Sequence, residues 1–155
     1  MEAVEVSDNA KPLDGTDVTQ VISSVQGWVN GLNILGNYLW LEYVGEPSGI
    51  GLCIKSDGGA IVSEDITGDF SAEIPFAIYA RGNVVPDGAD ALCKPLNDLG
   101  AWLKRNGPLG LGIGARRTVD KLYMTKGPSD LTGLNEDGNT EFFAVFAIVY
   151  DEEAE

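Results

Sequence analysis

The most apolar stretch of the chain covers residues 140–150 and predicts a central β-strand. Aromatic and β-branched residues fill this stretch, which has no glycine or proline, and such residues suit a pleated, packed surface. Because side chains alternate along a strand, Phe142 and Phe146 would share one face, and Phe143 and Val145 would share the other. Both faces are apolar, so we expect this strand to be covered at least partly on both sides.

Two further segments carry apolar residues at helical spacing. The first begins at Thr16 or Asp17, either of which can cap a helix, and Gly31 supplies its end. The second covers residues 86–107. Pro95 lies inside its pattern, and we expect this proline to kink or divide the helix.

Alternating patterns predict the remaining strands, which lie at residues 38–44, 50–55, 60–66, 73–81 and 116–126. Asp57-Gly58-Gly59 predicts a tight hairpin turn, because glycine and aspartate accept the positive φ angles that such turns require. The fold class is therefore α+β, with a mainly antiparallel sheet of four to five strands and two helices packed on one face.

Residues 1–15 are polar and predict a flexible acidic N-terminal arm, ahead of a single domain at residues 16–155. Two helices can cover only one face of the sheet. We therefore expect a neighbouring subunit to cover part of the second apolar face of the last strand.

Composition is that of an ordinary globular domain, with 155 residues of which 44% are hydrophobic. No apolar run is long enough to span a membrane, and the acidic N-terminal sequence is unlike a secretory signal peptide, so we interpret the chain as cytosolic. Cys53 and Cys93 lie within apolar patterns rather than at metal-ligand spacing, and we expect both to be free thiols.

The net charge is −14, with 24 acidic and 10 basic residues and no histidine. Free duplex DNA and anionic membranes are therefore poor partners, because phosphate binding needs concentrated positive charge. Residues 94–126 depart from this balance, with seven bases against Asp98 and Asp120, a net of +5. This segment is either part of a mixed solvated surface or a basic patch that meets an acidic surface on another copy.

Residue types and spacing argue against catalysis and against a cofactor or metal. The absence of histidine removes the commonest general base and metal ligand. The glycines at Gly110, Gly112 and Gly114 follow a helix and lack the lysine of a phosphate loop, so we interpret them as a flexible connector. Residues 135–139 place acids near a glycine, but the spacing does not match an EF-hand.

Four segments in succession resemble a known family. They are residues 72–84, in which the predicted strand ends at Arg81; residues 96–103, with the pair Trp102-Leu103; residues 119–125; and the aromatic-rich residues 140–150. This succession, over about residues 34–150, resembles the small minor capsid proteins of long-tailed phages that look like tail terminators. In that family, a strand ending near arginine precedes a helix with a Trp-Leu pair, followed by two antiparallel strands.

The resemblance implies a structural protein of the virion. A tail terminator forms a hexameric ring that caps the head-proximal end of the tail tube, ends its polymerisation and docks the tail to the head. The implied partners are further copies of the chain, the tail tube protein and a head completion or connector protein. DNA would pass through the lumen without specific binding, no membrane is involved, and assembly would take place in the host cytoplasm.

A head-to-tail ring needs two different complementary surfaces on each copy. We expect basic residues at the subunit interface: Arg81, Arg105, Arg116, Arg117 and Lys121. The acidic counter-surface, or the lumen, would be formed by Asp57, Glu64, Asp65 and Asp69.

Two alternatives remain from the sequence. One is another head–tail joining or tail-completion protein. The other is a small acidic adaptor or inhibitor that binds a basic partner as a monomer.

Overall fold

In the computed structural model, which describes residues 11–41, 50–82, 88–130 and 140–154, a seven-stranded sheet packs against two helices. The elements follow in the order β1 (Lys11–Pro12), α1 (Gly15–Leu32), β2 (Leu39–Leu41), β3 (Ile50–Lys55), β4 (Ala60–Glu64), β5 (Phe70–Gly82), α2 (Gly88–Asn106), β6 (Arg117–Asp130) and β7 (Thr140–Glu152). The α+β class and the mainly antiparallel sheet are confirmed.

The predicted count of four to five strands matches the seven strands of the described sheet only roughly, because two rows of the sheet are interrupted. β3 and β4 both pair with the same edge of β5, one after the other, and both run antiparallel to it. β1 pairs with β4, and β2 pairs with β3. β1 and β2 together form one edge row of the sheet, and β3 and β4 form the next row. β5, β7 and β6 follow in that order, each as a row of its own.

β5 and β7 form the centre of the sheet, where residues 140–150 were predicted to lie. They pair antiparallel over their whole length, from Phe70 opposite Glu152 to Gly82 opposite Thr140. Alternate residues on both strands are fully buried in the core, and the rings of Phe76 and Phe146 stack with centroids 5.5 Å apart. The same core contains the buried stripes of both helices, so α1 and α2 cover this face of the sheet.

Helix α1 begins earlier than predicted. Its N-cap is Asp14, whose carboxylate accepts a hydrogen bond of 2.7 Å from the backbone N–H of Thr16. Its end is set by Asn33, in the left-handed region at φ 57°, and not by Gly31. Asparagine tolerates this conformation better than most residues do.

Residues 11–15, predicted to be part of a loose arm, are built into the fold. Lys11 and Pro12 pair with β4. Leu13 is buried in the core, and its backbone N–H donates a hydrogen bond of 2.9 Å to the carbonyl oxygen of Gly59. Residues 1–10 lie outside the described residues.

Helix α2 is continuous through Pro95, so division into two pieces, one of the two outcomes expected of this proline, does not occur. The four leucines of the predicted stripe, Leu92, Leu96, Leu99 and Leu103, are buried, and Cys93, which belongs to the same predicted stripe, is half-buried. Gly100 allows a close approach to β6, because a Cβ atom there would lie 2.6 Å from the Cε of Met124.

The predicted hairpin at Asp57-Gly58-Gly59 is wrong, since β3 and β4 do not pair with each other. The segment instead carries the chain from one part of the β5 edge to the next. Gly58 has φ 127°, and a Cβ at Gly59 would lie 2.6 Å from Cγ1 of Ile74. β2 and β3 pair in parallel, and residues 42–49 between them lie outside the described residues.

Cys53 and Cys93 are both thiols that are not joined in a disulfide, as predicted. Among the described helices, neither is both long and apolar enough to cross a membrane.

Candidate functional site: the open face of the sheet

The face of β5 and β7 that points away from the helices carries half-buried aromatic and aliphatic side chains. Tyr79 lies opposite Phe143, and their rings stack with centroids 5.8 Å apart. Val145 and Val149 continue the apolar row along β7. Both described helices lie on the other side of the sheet, so this face is open within the described part of the chain. We call it the open face.

Three lysines lie over aromatic rings on the open face. The Nζ of Lys55 is 5.7 Å from the ring centroid of Tyr79, and that of Lys126 is 5.2 Å from the centroid of Phe143. The Nζ of Lys121 is 5.6 Å from the centroid of Tyr123. Aromatic faces attract ammonium groups at this range. The open face therefore combines apolar area with positive charge, although the chain as a whole is acidic.

The aromatic surface continues to the edge of the sheet at β2. Trp40 pairs with Cys53, which in turn pairs with Tyr79, so the three positions follow one line across the sheet. Tyr38 and Trp40 are 55% and 51% exposed, and their rings meet edge-to-face at 4.8 Å. Exposed aromatic residues of this size are typical of contact surfaces.

One end of the sheet is acidic. The β4–β5 turn and the last residues of β7 meet there, which brings together Glu64, Asp65, Asp69, Asp151, Glu152 and Glu153. Asp65 accepts hydrogen bonds from the Thr67 hydroxyl at 2.6 Å and from the backbone N–H of Thr67 and Asp69. These hydrogen bonds, that of the Thr67 hydroxyl above all, lower the pKa of Asp65. Asp69 accepts from the N–H of Ala154 at 2.7 Å, so part of this acidity serves to hold the turn.

Arg117 is bound within the chain and is only 10% exposed. Its guanidinium contacts the carboxylates of Asp17 and Glu152, at 2.7 Å each, and the amide oxygen of Gln20 at 3.1 Å. Burial acts to lower the pKa of Arg117, but the hydrogen bond and charge of Glu152, followed by weaker effects of Tyr150 and Asp17, raise it overall. This network leaves Arg117 little capacity to bind another subunit.

The structure separates the basic residues that the sequence grouped. Lys121 lies on the open face. Arg81 lies on the same face, at the end of β5 that is opposite to the acidic end. Arg105 is exposed in the last turn of α2. Arg116 lies at the acidic end, where its Nη1 is 3.4 Å from the carbonyl oxygen of Glu153.

The acidic residues are separated as well. Glu64, Asp65 and Asp69 lie at the acidic end, and Glu64 pairs with Lys11 at 2.7 Å. Asp57 is distant in the fold and lines a cavity beside α1. Arg116 and Arg117 thus share one end of the sheet with three of the four predicted acids, and the two sets do not form two opposed surfaces.

This cavity, of about 770 Å³, lies between α1 and the segment that joins β3 to β4. Its wall is mainly apolar, with Leu13, Val18 and Ile22 from the N-terminal part of the chain. Asp57 and Glu73 are among its lining residues, but the carboxylate of Glu73 lies on the open face, where it accepts a hydrogen bond of 3.4 Å from the Tyr123 hydroxyl. No single sequence pattern marks this cavity, because its wall comes from five separate elements.

Chemistry-bearing groups are sparse in the described part of the chain. No group of three or more Cys, Asp or Glu side chains there is arranged to hold a metal ion. Burial, followed by the charges of Asp90 and Asp130, raises the pKa of Cys93, which disfavours the nucleophilic thiolate.

Sequence reasoning missed Lys55, Lys126, Tyr79 and Trp40 as site residues. Strand alternation places Tyr79 on the face opposite the core, and this signal was available. The position of Lys126 over Phe143 depends on bulges between β6 and β7, which no sequence pattern marks.

No family model matches the chain, and no curated protein matches it either.

Proposed function

We propose that this chain is a virion assembly protein of the tail-terminator type, a ring subunit that caps a tail tube. The observation that carries the proposal is the open face. It offers aromatic and aliphatic area with three lysines, and a lone copy leaves it half exposed. Apolar area of this kind is typical of a surface that another protein covers.

The order of elements supports the same proposal. β5, with Arg81 near its end, is followed by α2, with Trp102 and Leu103, and then by the antiparallel pair β6 and β7. This is the succession on which the resemblance to tail terminators depends. Trp102 packs edge-to-face on Trp28 of α1, with ring centroids 5.6 Å apart, and so joins the two helices.

In this proposal the open face binds the end of the tail tube, and a head connector protein binds elsewhere on the ring. The acidic end, with Glu64, Asp65 and Asp69, faces the lumen. Its charge repels the phosphates of passing DNA, which slides through without specific binding.

The experiment mixes the purified chain with the tail tube protein encoded in the same genome and measures tube length by electron microscopy. Capped tubes of limited length are expected, and the variant Tyr79→Glu, which places a charge on the open face, should lose the effect. Ser23→Glu, at an exposed position of α1, is the matched control. Tubes of unlimited length with the unmodified chain would refute the proposal.

A second candidate is a small acidic adaptor that binds a basic partner as a monomer, and the acidic end of the sheet favours it. The mass of the chain together with the tube protein separates the two. A complex with a single copy supports the adaptor, and a complex with several copies supports the ring.

A further inference from the structure

The cavity beside α1 has the properties of a receptor for a protruding side chain. Its volume is about 770 Å³, and Val18, Ile22, Leu41 and Pro75 contribute to an apolar wall. This volume is larger than that of one leucine or isoleucine side chain, so the cavity can hold either. No residue of the described chain fills it.

Leu109 is a protruding apolar side chain on a structured loop. It lies between α2 and β6 and is 68% exposed. Its carbonyl oxygen accepts a hydrogen bond of 3.0 Å from the indole Nε1 of Trp28. Gly107 and Gly110 flank it with φ angles of 63° and 78°, which glycine adopts without strain. The loop therefore presents Leu109 in a fixed place, whereas the sequence had predicted a flexible connector nearby.

Leu109 and the cavity lie on opposite flanks of α1. Successive residues of a helix are about 100° apart, which places Thr19 and Ile22, of the cavity, on one flank. By the same rotation, Trp28, which holds Leu109, lies on the other flank. A second copy that docks its Leu109 into this cavity therefore makes a head-to-tail contact, which leaves its own cavity free for a third copy.

Charge distinguishes Leu109 from the other strongly exposed aliphatic residue. Lys104 and Arg105 form the basic last turn of α2, just before Leu109. The lining of the cavity includes Asp57, so the two surfaces carry opposite charge. Ile66 is 80% exposed, but it lies between Asp65 and Asp69 at the acidic end, and like charges would oppose its approach to the cavity.

We propose that Leu109 of one copy inserts into the cavity beside α1 of the next copy, with Lys104 and Arg105 facing Asp57. This contact deepens the proposed function and rests on it, since it names the subunit interface of the ring. The repeated head-to-tail contact closes into a ring when its rotation is a whole fraction of a turn.

The first test is Leu109→Asp, with self-association measured by sedimentation velocity over a range of concentrations, alone and with the tail tube protein. Removing one buried leucine from the contact should weaken association about tenfold or more. Ile66→Asp is the matched control, because it makes the same change at an exposed aliphatic position outside the contact. Equal association of the two variants would overturn the proposal.

The second test reverses the charges. Asp57→Lys and Arg105→Glu should each weaken association, and the two variants mixed together should associate better than either alone, because the mixture restores opposite charges at the contact between unlike copies. A mixture no better than the single variants would contradict the proposed pairing. A photoreactive amino acid at position 109 should cross-link to residues 56–60 or 12–22 of another copy, and cross-links confined to other segments would contradict it as well.

The outcomes separate this contact from the proposed function. If Leu109→Asp still assembles and caps tubes, the contact is wrong and the function stands. If the unmodified chain associates through position 109 but leaves tubes uncapped, the contact stands and the function is wrong.

Discussion

Arg117 of β6 and Asp17 of α1 are 100 positions apart in the chain and form an ion pair of 2.7 Å. Glu152 of β7 completes the group on the other side of the same guanidinium, also at 2.7 Å. The network ties the edge strand β6 to the first turn of α1. It also explains why a basic residue in the most basic segment is largely buried.

Arg117→Met should destabilise the fold by about 2 kcal/mol, because it leaves two partly buried carboxylates without their charged hydrogen-bond donor. Urea unfolding followed by circular dichroism measures the change. The neighbouring variant Arg116→Met serves as the control, since Arg116 is exposed, and it should alter the free energy of unfolding by less than about 0.5 kcal/mol. Similar values for the two variants would contradict the role given to the network.

Asp14→Ala should cost about 1 kcal/mol, because it removes the carboxylate that caps the first turn of α1. Thr16→Ala keeps the backbone N–H that donates to this cap, so it should cost much less. Thermal unfolding of both variants tests the assignment. A larger loss in Thr16→Ala would restore the N-cap that the sequence pattern first indicated.

Gly59→Ala should destabilise the fold by about 1–3 kcal/mol, because the added Cβ would lie 2.6 Å from Cγ1 of Ile74 and 2.8 Å from the carbonyl oxygen of Glu73. Gly27→Ala makes the same chemical change in α1, where no neighbouring atom lies within 4 Å. It should stabilise the helix by about 0.5–1 kcal/mol, since alanine has the higher helix propensity. Chemical denaturation gives both values, and shifts of the same sign would contradict the packing at Gly59.

Tyr150→Phe should preserve or increase stability at pH 7, because the buried Tyr150 hydroxyl has no hydrogen-bond partner among the described residues. Burial raises the pKa of this phenol from 10.0 to about 12. The unfolded chain therefore loses the proton more readily, so the stability that depends on the neutral phenol is complete below pH 10 and lost as the pH rises towards 12.

The difference in free energy of unfolding between the Tyr150→Phe variant and the unmodified chain should consequently grow in favour of the variant over that range. Denaturant titrations at pH 7, 9 and 11 measure it. A difference that is the same at all three pH values would show that Tyr150 ionises in the folded state as it does in the unfolded chain.

Local patterns were sufficient for most of the elements. The apolar stripe of α1, the leucine stripe of α2 and the alternation of β5 and β7 each predicted a buried face that the structure contains. These predictions succeeded because burial of one face follows directly from the spacing of residues within a single element.

Which strands pair with each other was harder to predict from the sequence than which residues form each strand. The residues between β3 and β4 have the composition of a hairpin turn, but the long β5 offers an edge on which both strands fit in succession. β3 and β4 therefore pair with this buried central strand and not with each other, although the residues between them favour a hairpin turn. Pro95 shows the same limit, because α2 continues through it with its leucine stripe packed in the core.

The sequence by itself determined the α+β class, the two helical stripes, the central strand at the end of the chain and its excess of negative charge. Only the tertiary structure decided that Arg117 is bound within its own chain, that lysines cover the aromatic rings of the open face, and that a cavity lies across α1 from Leu109. The reason is physical: periodicity records which side of an element is buried, whereas contacts between residues far apart in the chain depend on how the elements pack.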